Sequence, residues 1–248
     1  MRTVIIVQAR MTSSRLPGKV LMDVGGRPML AQELRRLQRC EGADEIVVAT
    51  TTNATDDPVV ALADEESVRW FRGPEGDVLS RYVGAAREAG AEVVVRVTGD
   101  CPIIDAGVTD RVIHDAITHS AECDYSSNVL VRTFPRGLDT EVLFGDALLR
   151  LGRMAQTAAE REHVTAGIYS RPHLFAVRSV TDSIDNSDLR WTVDTVADLR
   201  LMRALYEVVD ISAGAPYFQI LSYVRTHSEL QNLNADVVTW EPVKPQAW

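Results

Sequence analysis

Three cations and two aspartates carry most of the chemistry this sequence can offer. Arg10, Arg15 and Lys19 share one polar stretch, Gln8-Ala9-Arg10-Met11-Thr12-Ser13-Ser14-Arg15-Leu16-Pro17-Gly18-Lys19. It follows Thr3–Val7, an apolar run rich in β-branched residues that reads as a buried parallel strand. Ligands of α/β sheets bind outside the carboxyl ends of the strands. Positive charge concentrated there, on a chain of formal net charge -9, points to a polyanion such as a nucleoside triphosphate. A cation about 4 Å from a phosphate oxygen gains roughly 4 kcal/mol at an effective dielectric near 20. Two or three such contacts would hold a triphosphate and stabilise a pyrophosphate leaving group. A solvated surface loop is the competing reading. The stretch is not a P-loop, because Ser13 and Val20 stand where that motif needs glycine and Ser/Thr.

The aspartates are Asp100, in Arg96-Val97-Thr98-Gly99-Asp100-Cys101-Pro102, and Asp194, in Arg190-Trp191-Thr192-Val193-Asp194-Thr195. Each ends an apolar segment. Gly99 permits close backbone approach of a ligand. Either aspartate alone could simply cap a helix. Together, facing a cationic loop, they suit phosphoryl transfer with a divalent metal. Mg2+ takes one or two carboxylates plus substrate phosphates and neutralises charge on the transferring group.

The elements that must position these groups alternate through the first half. Strands are expected at Val4–Val7, Glu45–Thr50, Val68–Arg72 and Glu92–Thr98. Helices are expected at Pro28–Arg39, Asp56–Glu66 and Asp77–Ala89, with Asp77 a possible N-cap and Gly90 the stop. Such alternation implies a mainly parallel sheet with helices on both faces. From about 122 to 188 the rhythm breaks. Short pieces (Asp124–Asn128, Thr140–Phe144, Phe175–Val180) surround helices near Phe144–Arg153 and Gln156–Ser170. This reads as an excursion from the sheet, a dimerisation or acceptor-binding subdomain inserted in one domain spanning 1–248. Trp191–Asp194 then forms a short final element, followed by helices near Thr195–Val208 and Pro216–His227. The tail, with Trp240 and Trp248, packs back or contacts a partner.

The acidic balance argues against non-specific binding to nucleic acid or to a membrane surface. No apolar run is long enough to span a bilayer, and the N-terminus lacks a signal-peptide pattern. Cys40, Cys101 and Cys123 form no CxxC pair, which fits a reducing cytoplasm better than a disulfide framework. The scattered histidines give little support to a transition-metal site.

The ordered motifs Gln8-Ala9-Arg10, Arg15-Leu16-Pro17-Gly18-Lys19, Ala49-Thr50, Phe71-Arg72-Gly73 and Asp77-Val78-Leu79-Ser80-Arg81-Tyr82 resemble the cytidylyltransferases of spore-coat polysaccharide type. Thr98–Pro102, Pro135-Arg136-Gly137-Leu138-Asp139, Glu162-His163-Val164 and Arg190–Asp194 continue the match, which runs from residue 3 to about 200. These enzymes are related to CMP-Kdo and CMP-sialate synthetases. The resemblance implies a GT-A-like, Rossmann-related nucleotidyltransferase fold. It also implies attack of an acceptor oxygen on the α-phosphate of CTP, with pyrophosphate expelled. Carried over by position, Arg10 and Lys19 grip the triphosphate with Arg15 assisting, and Asp100 and Asp194 hold Mg2+. Gln8, Ala9, Arg10, Thr50 and Arg72 frame the base and ribose, beside Thr98 and Gly99. Kdo enzymes usually carry an acidic residue where this chain has Cys101, which favours the spore-coat branch.

The acceptor wall falls in the excursion. Arg136 could bind a carboxylate, phosphate or phosphonate in bidentate fashion, or make a surface ion pair. Asp139 and Glu162 lie in the same motifs. His163 could polarise the acceptor or approach a partner subunit, and Asp77 could touch ribose or acceptor instead of capping. Arg190 could orient Asp194 or touch phosphate. The expected partners are CTP and a small anionic acceptor, in a homodimer.

Overall fold

The computed structural model describes residues 1–238. Trp240 and Trp248 lie outside the described residues. In chain order the first half contains β1 (Thr3–Gln8), β2 (Asp23–Val24), β3 (Arg27–Pro28), α1 (Met29–Leu37), β4 (Glu45–Thr51) and α2 (Asp57–Glu65). It continues with β5 (Arg69–Gly73), α3 (Val78–Ala89), β6 (Val93–Thr98) and α4 (Ala106–Thr118). Then come β7 (Tyr125–Ser127), β8 (Glu141–Phe144), α5 (Gly145–Met154), α6 (Ala158–Glu162), α7 (Ala166–Ser170) and β9 (Val177–Ser179). α8 (Val196–Val208), α9 (Tyr217–Thr226) and α10 (Ser228–Gln231) complete the series.

Seven strands form one sheet in the order β5-β4-β1-β6-β8-β7-β9. β5, β4, β1 and β6 are parallel. β8 runs antiparallel to both neighbours, and β9 is parallel to β7. The sheet is therefore mostly parallel and mixed, as the alternation predicts. The segment 122–188 is therefore not an excursion from the sheet: its strands β8, β7 and β9 extend the sheet beyond β6 by backbone pairing.

Side-chain alternation decides which helices cover which face. Ile5, Val7, Val48, Val95 and Val97 pack into one core with residues of α1, α2, α4, α8 and α9. Val4, Ile6, Val47, Ala49 and Val94 pack into a second core with α3, α5 and α7. Each fully buried aliphatic side chain contributes roughly 1.5–3 kcal/mol, so the strands are pinned from both sides. α3 begins where Asp77 accepts the Ser80 N–H at 2.9 Å, and it stops at Gly90.

Two expected elements differ. The helix read over 156–170 is broken into α6 and α7 at Val164, which is fully buried with a φ of 45°. The core gained by seating Val164 under α3 and α5 outweighs the left-handed backbone of a β-branched residue. Trp191–Asp194 forms no strand. It is an extended segment tied down singly, by Trp191 N–H to the Arg136 carbonyl (2.6 Å) and Val193 N–H to the Asp100 carbonyl (2.8 Å). No helix among the described residues is long and apolar enough to cross a membrane.

Candidate active site

The loop after β1 is closed before it reaches Lys19. Leu16 and Val20 are buried in the core, and Gly18 N–H donates to the Met11 carbonyl at 2.8 Å. Met11 N–H in turn donates to Asp56 Oδ1 at 2.8 Å. Asp56 is fully buried and also accepts from the Thr51 hydroxyl. From left-handed Gly18 (φ 73°) the chain enters a 3-10 turn at Lys19–Leu21. That turn sends the Lys19 side chain inward.

Lys19 Nζ lies 2.8 Å from Asp100 Oδ2, 2.8 Å from Asp194 Oδ1 and 2.7 Å from the Val193 carbonyl. An ammonium has three protons, and all three are matched. Burial opposes its charge, but Asp100 and Asp194 outweigh burial and hold the Lys19 pKa above its ordinary value. Burial likewise opposes the Asp194 carboxylate, yet Lys19, Arg190 and Arg15 hold Asp194 below the usual range. Arg15 Nη2 is 2.8 Å from Asp194 Oδ1, and Arg190 Nη2 is 2.7 Å from Oδ2.

Asp198 supports this arrangement from behind. It is fully buried, takes Arg190 Nε at 2.9 Å, and accepts the Asp194 N–H at 3.0 Å. Asn234 Nδ2 adds a bond at 2.9 Å. On the other side Thr98 Oγ1 donates to Asp100 Oδ1 at 2.7 Å, and Cys101 N–H donates to Glu33 Oε2 at 3.0 Å. Glu33 is fully buried, its Oε1 has no partner, and burial together with the Asp100 charge pushes its pKa well up.

A cleft of about 190 Å3 opens over these groups, lined in part by Arg15, Asp100, Arg136, Asp139, Arg190 and Asp194. Arg132 holds Asp139 by two bonds of 2.6 and 2.8 Å. Burial opposes the Asp139 charge, and Arg132 followed by Arg136 overcomes it, so its pKa is lowered. Seven candidate groups from distant parts of the sequence, Arg15, Thr98, Asp100, Arg136, Asp139, Arg190 and Asp194, are thus brought to one place.

Arg10 lies in a second cluster. Its Nη1 is 3.5 Å from Glu75 Oε1, and Glu75 also accepts from Asn53 Nδ2 at 2.7 Å and from the Thr12 hydroxyl. Arg72 donates to the carbonyls of Thr51 and Asn53, both at 2.6 Å, and to Asp57 at 2.7 Å. It braces the β4–α2 loop. The Gln8 side chain accepts from Arg96 Nη2 at 3.4 Å. Ala9 and Thr50 are buried, with no partner for Thr50 Oγ1. Gly99 turns its open face to β1: its N–H meets the Gln8 carbonyl at 2.8 Å, and a Cβ would stand 2.9 Å from that oxygen. The neighbours approaching Gly99 are the Gln8 carbonyl and the side chains of Ala9 and Leu30.

The remaining acceptor candidates are placed elsewhere. Asp77 caps α3 and pairs with Arg161 at 3.4 Å. Glu162 is exposed at the end of α6, beside His163. None of Asp77, Glu162 and His163 lines the cleft.

Among the described residues no group of three or more His, Cys, Asp or Glu could hold a metal ion. Asp100 and Asp194 nevertheless converge on a single cation, since both touch the one Lys19 ammonium. Two converging carboxylates, with phosphate oxygens completing the shell, fit a hard ion such as Mg2+.

A cytidylyltransferase family profile matches residues 4–221. The spore coat polysaccharide biosynthesis protein SpsF of Bacillus subtilis is 31% identical over 220 residues, covering 84% of this chain and 90% of that protein. A cytidylyltransferase from Leptospira borgpetersenii superposes with a TM-score of 0.91 at 28% identity, covering 97% of this chain and 100% of that one. A CMP:2-keto-3-deoxy-manno-octonic acid synthetase complexed with CTP shares the fold, with a TM-score of 0.63 at 18% identity, covering 84% and 99%. With the cytidylyltransferase profile matched along most of its length on a mostly parallel nucleotidyltransferase sheet, this chain belongs to the cytidylyltransferase family.

Proposed function

We propose that this chain transfers CMP from CTP to a small anionic acceptor and releases pyrophosphate, with Mg2+ held by Asp100 and Asp194. The observation that carries this reading is the single ammonium shared by Asp100 and Asp194, flanked by Arg15 and Arg190 on Asp194. Opposed carboxylates and cations in one cleft match a reaction that moves a phosphoryl group between anions.

In the reaction, an acceptor oxygen forms a bond to the α-phosphorus, the α–β phosphoanhydride breaks, and the electron pair leaves with pyrophosphate. If the attacking group is a hydroxyl, its proton passes to solvent. Bound Mg2+ would supply charge neutralisation at the transferring phosphate. Lys19 and Arg15 contribute fixed positive charge on the leaving-group side, while Arg10 stands in the second cluster with Glu75. Arg190, locked by Asp198, keeps Asp194 ionised and oriented. No side chain is needed as a covalent nucleophile, so catalysis rests on positioning and electrostatics.

The acceptor enters beside Arg136, which lines the cleft with Asp100 and Asp194. A guanidinium there suits a carboxylate, phosphate or phosphonate. A sugar acid, a sugar or polyol phosphate, or a phosphonate in polysaccharide biosynthesis fits this chemistry, in keeping with the name of the Bacillus relative. We place the reaction in the cytoplasm, in a homodimer. The test is a pyrophosphate-release screen of the four nucleoside triphosphates against an acceptor panel, with product masses recorded. CTP-selective release with a product heavier than its acceptor by a cytidylyl group supports the reading. Release from another nucleotide in preference to CTP overturns it.

A further inference from the structure

Arg81 has a role that the motif alone does not reveal. It sits on α3, is 2% exposed, and its Nε and Nη1 are buried without any hydrogen-bond partner. Its stem lies across Gly73 at the end of β5, where a Cβ would come within 2.7 Å of Arg81 Cγ. The charges that act on its guanidinium include Arg10, Asp56 and Glu75, which places it beneath the second cluster of the site. Both nearby carboxylates are already engaged: Asp56 by Met11 and Thr51, Glu75 by Arg10, Thr12 and Asn53. Burial draws the Arg81 pKa down from the ordinary arginine value, as expected of a desolvated cation with nothing to bond.

Buried polar groups are nearly always hydrogen-bonded, and an orphan needs a reason. Here the reason is what the cluster lacks. Arg10 and Arg81 are balanced by Asp56 and Glu75, so the missing element is hydrogen-bond acceptors and not negative charge. Distance points the same way. β5 stands two strands from β1 and three from β6, roughly 10 and 14 Å at ordinary strand spacing. A nucleotide with its phosphates at Lys19 and Asp100 therefore turns its base, not its phosphates, toward Arg81.

We propose that Arg81 is a base-recognition residue, whose buried guanidinium donates to neighbouring carbonyl and ring-nitrogen acceptors on one edge of the base, the pattern cytosine presents at O2 and N3. This rests on the reading that the cleft binds CTP, and it adds a base contact to those expected of Arg72, three of whose donors brace the β4–α2 loop.

The test is calorimetric titration of the full chain with cytidine triphosphate, and separately with inorganic tripolyphosphate, for the wild type and Arg81→Met. The expected result is a loss of CTP affinity of about 10- to 100-fold, with tripolyphosphate binding unchanged. The nucleotide-free variant should melt at or above the wild-type temperature, because an unpaired buried charge is gone. Unchanged CTP affinity overturns the assignment. Equal losses for CTP and tripolyphosphate overturn it too, by making Arg81 a phosphate ligand. A wild-type chain that binds tripolyphosphate but not CTP contradicts the CTP reading itself, and the base contact with it. If Arg81→Met does not fold, the wild-type Arg81 Nε–H resonance decides. It should shift on adding cytidine and stay fixed on adding pyrophosphate, and the reverse refutes the proposal.

Discussion

Lys19 Nζ and Asp194 Oδ1 lie 2.8 Å apart, and the same ammonium reaches Asp100 Oδ2 at 2.8 Å. A divalent cation held as proposed would therefore compete with Lys19 for one pair of carboxylates. Lys19→Met should lower turnover by about 100- to 1000-fold, the usual cost of one fixed charge or donor at the reacting group. It should also tighten Mn2+ binding in the absence of nucleotide, because Asp100 and Asp194 lose their internal counter-cation. Titration of free Mn2+ by electron paramagnetic resonance checks the second effect. Weaker Mn2+ binding by the variant would contradict the shared-carboxylate arrangement.

Asp198 acts through Arg190 and through the Asp194 N–H. Asp198→Asn keeps the side-chain shape but removes the charge beneath Arg190, so kcat should fall about tenfold. Thr195→Ala removes the other half of the same capping box and should cost about 1 kcal/mol of stability with kcat nearly intact. Steady-state kinetics beside thermal melts separate the two. Equal losses of kcat in both variants would reduce Asp198 to a helix cap.

Acid stability should depend on Glu160. Burial opposes its charge, but Arg171 at 2.6 Å and the N–H groups of Gln156 and Thr157 lower its pKa from 4.5 to about 2. A carboxyl depressed by folding stabilises above its unfolded pKa, and that stability is lost as pH falls through the folded value. Melting temperature should therefore drop between pH 4.5 and about 2 in the wild type. In Glu160→Gln this drop should be shallower, from a lower starting point. Parallel curves for the two proteins would refute the contribution.

Glu33 has the opposite sign. Folding raises its pKa, first through burial and then through Asp100, so its ionisation works against the native state as pH rises above the ordinary carboxyl range. Glu33→Gln keeps an oxygen for the Cys101 N–H and should raise the melting temperature near pH 8, with little effect near pH 4. Calorimetry at the two pH values checks this. A melting temperature lowered at both would mean that Glu33 contributes by packing alone.

The mainly parallel sheet of the first half and the main cleft were legible because they follow strong local signals, whereas the joining of β7, β8 and β9 to that sheet was not. Alternating apolar runs set β1, β4 and β6, and Asp100 and Asp194 end apolar segments beside a cationic loop. The cluster around Asp56, Glu75 and Arg81 was not legible. Arg72 and Arg81 look equally solvated in a linear sequence, yet one is bonded at three points and the other is buried with open donors. Asp56 and Asp57 precede a proline and read as an ordinary helix start, although Asp56 ties the β1 loop to β4. Glu33 sits in an amphipathic helix where a surface glutamate is expected, and only the Cys101 turn packed against it explains its burial. Glu75 follows a Gly-Pro pair and has the composition of a plain turn. These residues depend on contacts between segments far apart in sequence, which periodicity cannot show.

The central claim, a CTP site built around Lys19, Asp100 and Asp194, is tested most directly by melting the full chain with millimolar CTP, UTP, ATP or GTP, each with Mg2+. A ligand at 100 times its dissociation constant stabilises by about 2.7 kcal/mol, so a selective site gives a selective shift. CTP should raise the melting temperature well above the other three in the wild type, and the shift should largely disappear in Asp100→Asn. Equal shifts for all four nucleotides, or a CTP shift that survives in Asp100→Asn, would contradict the account.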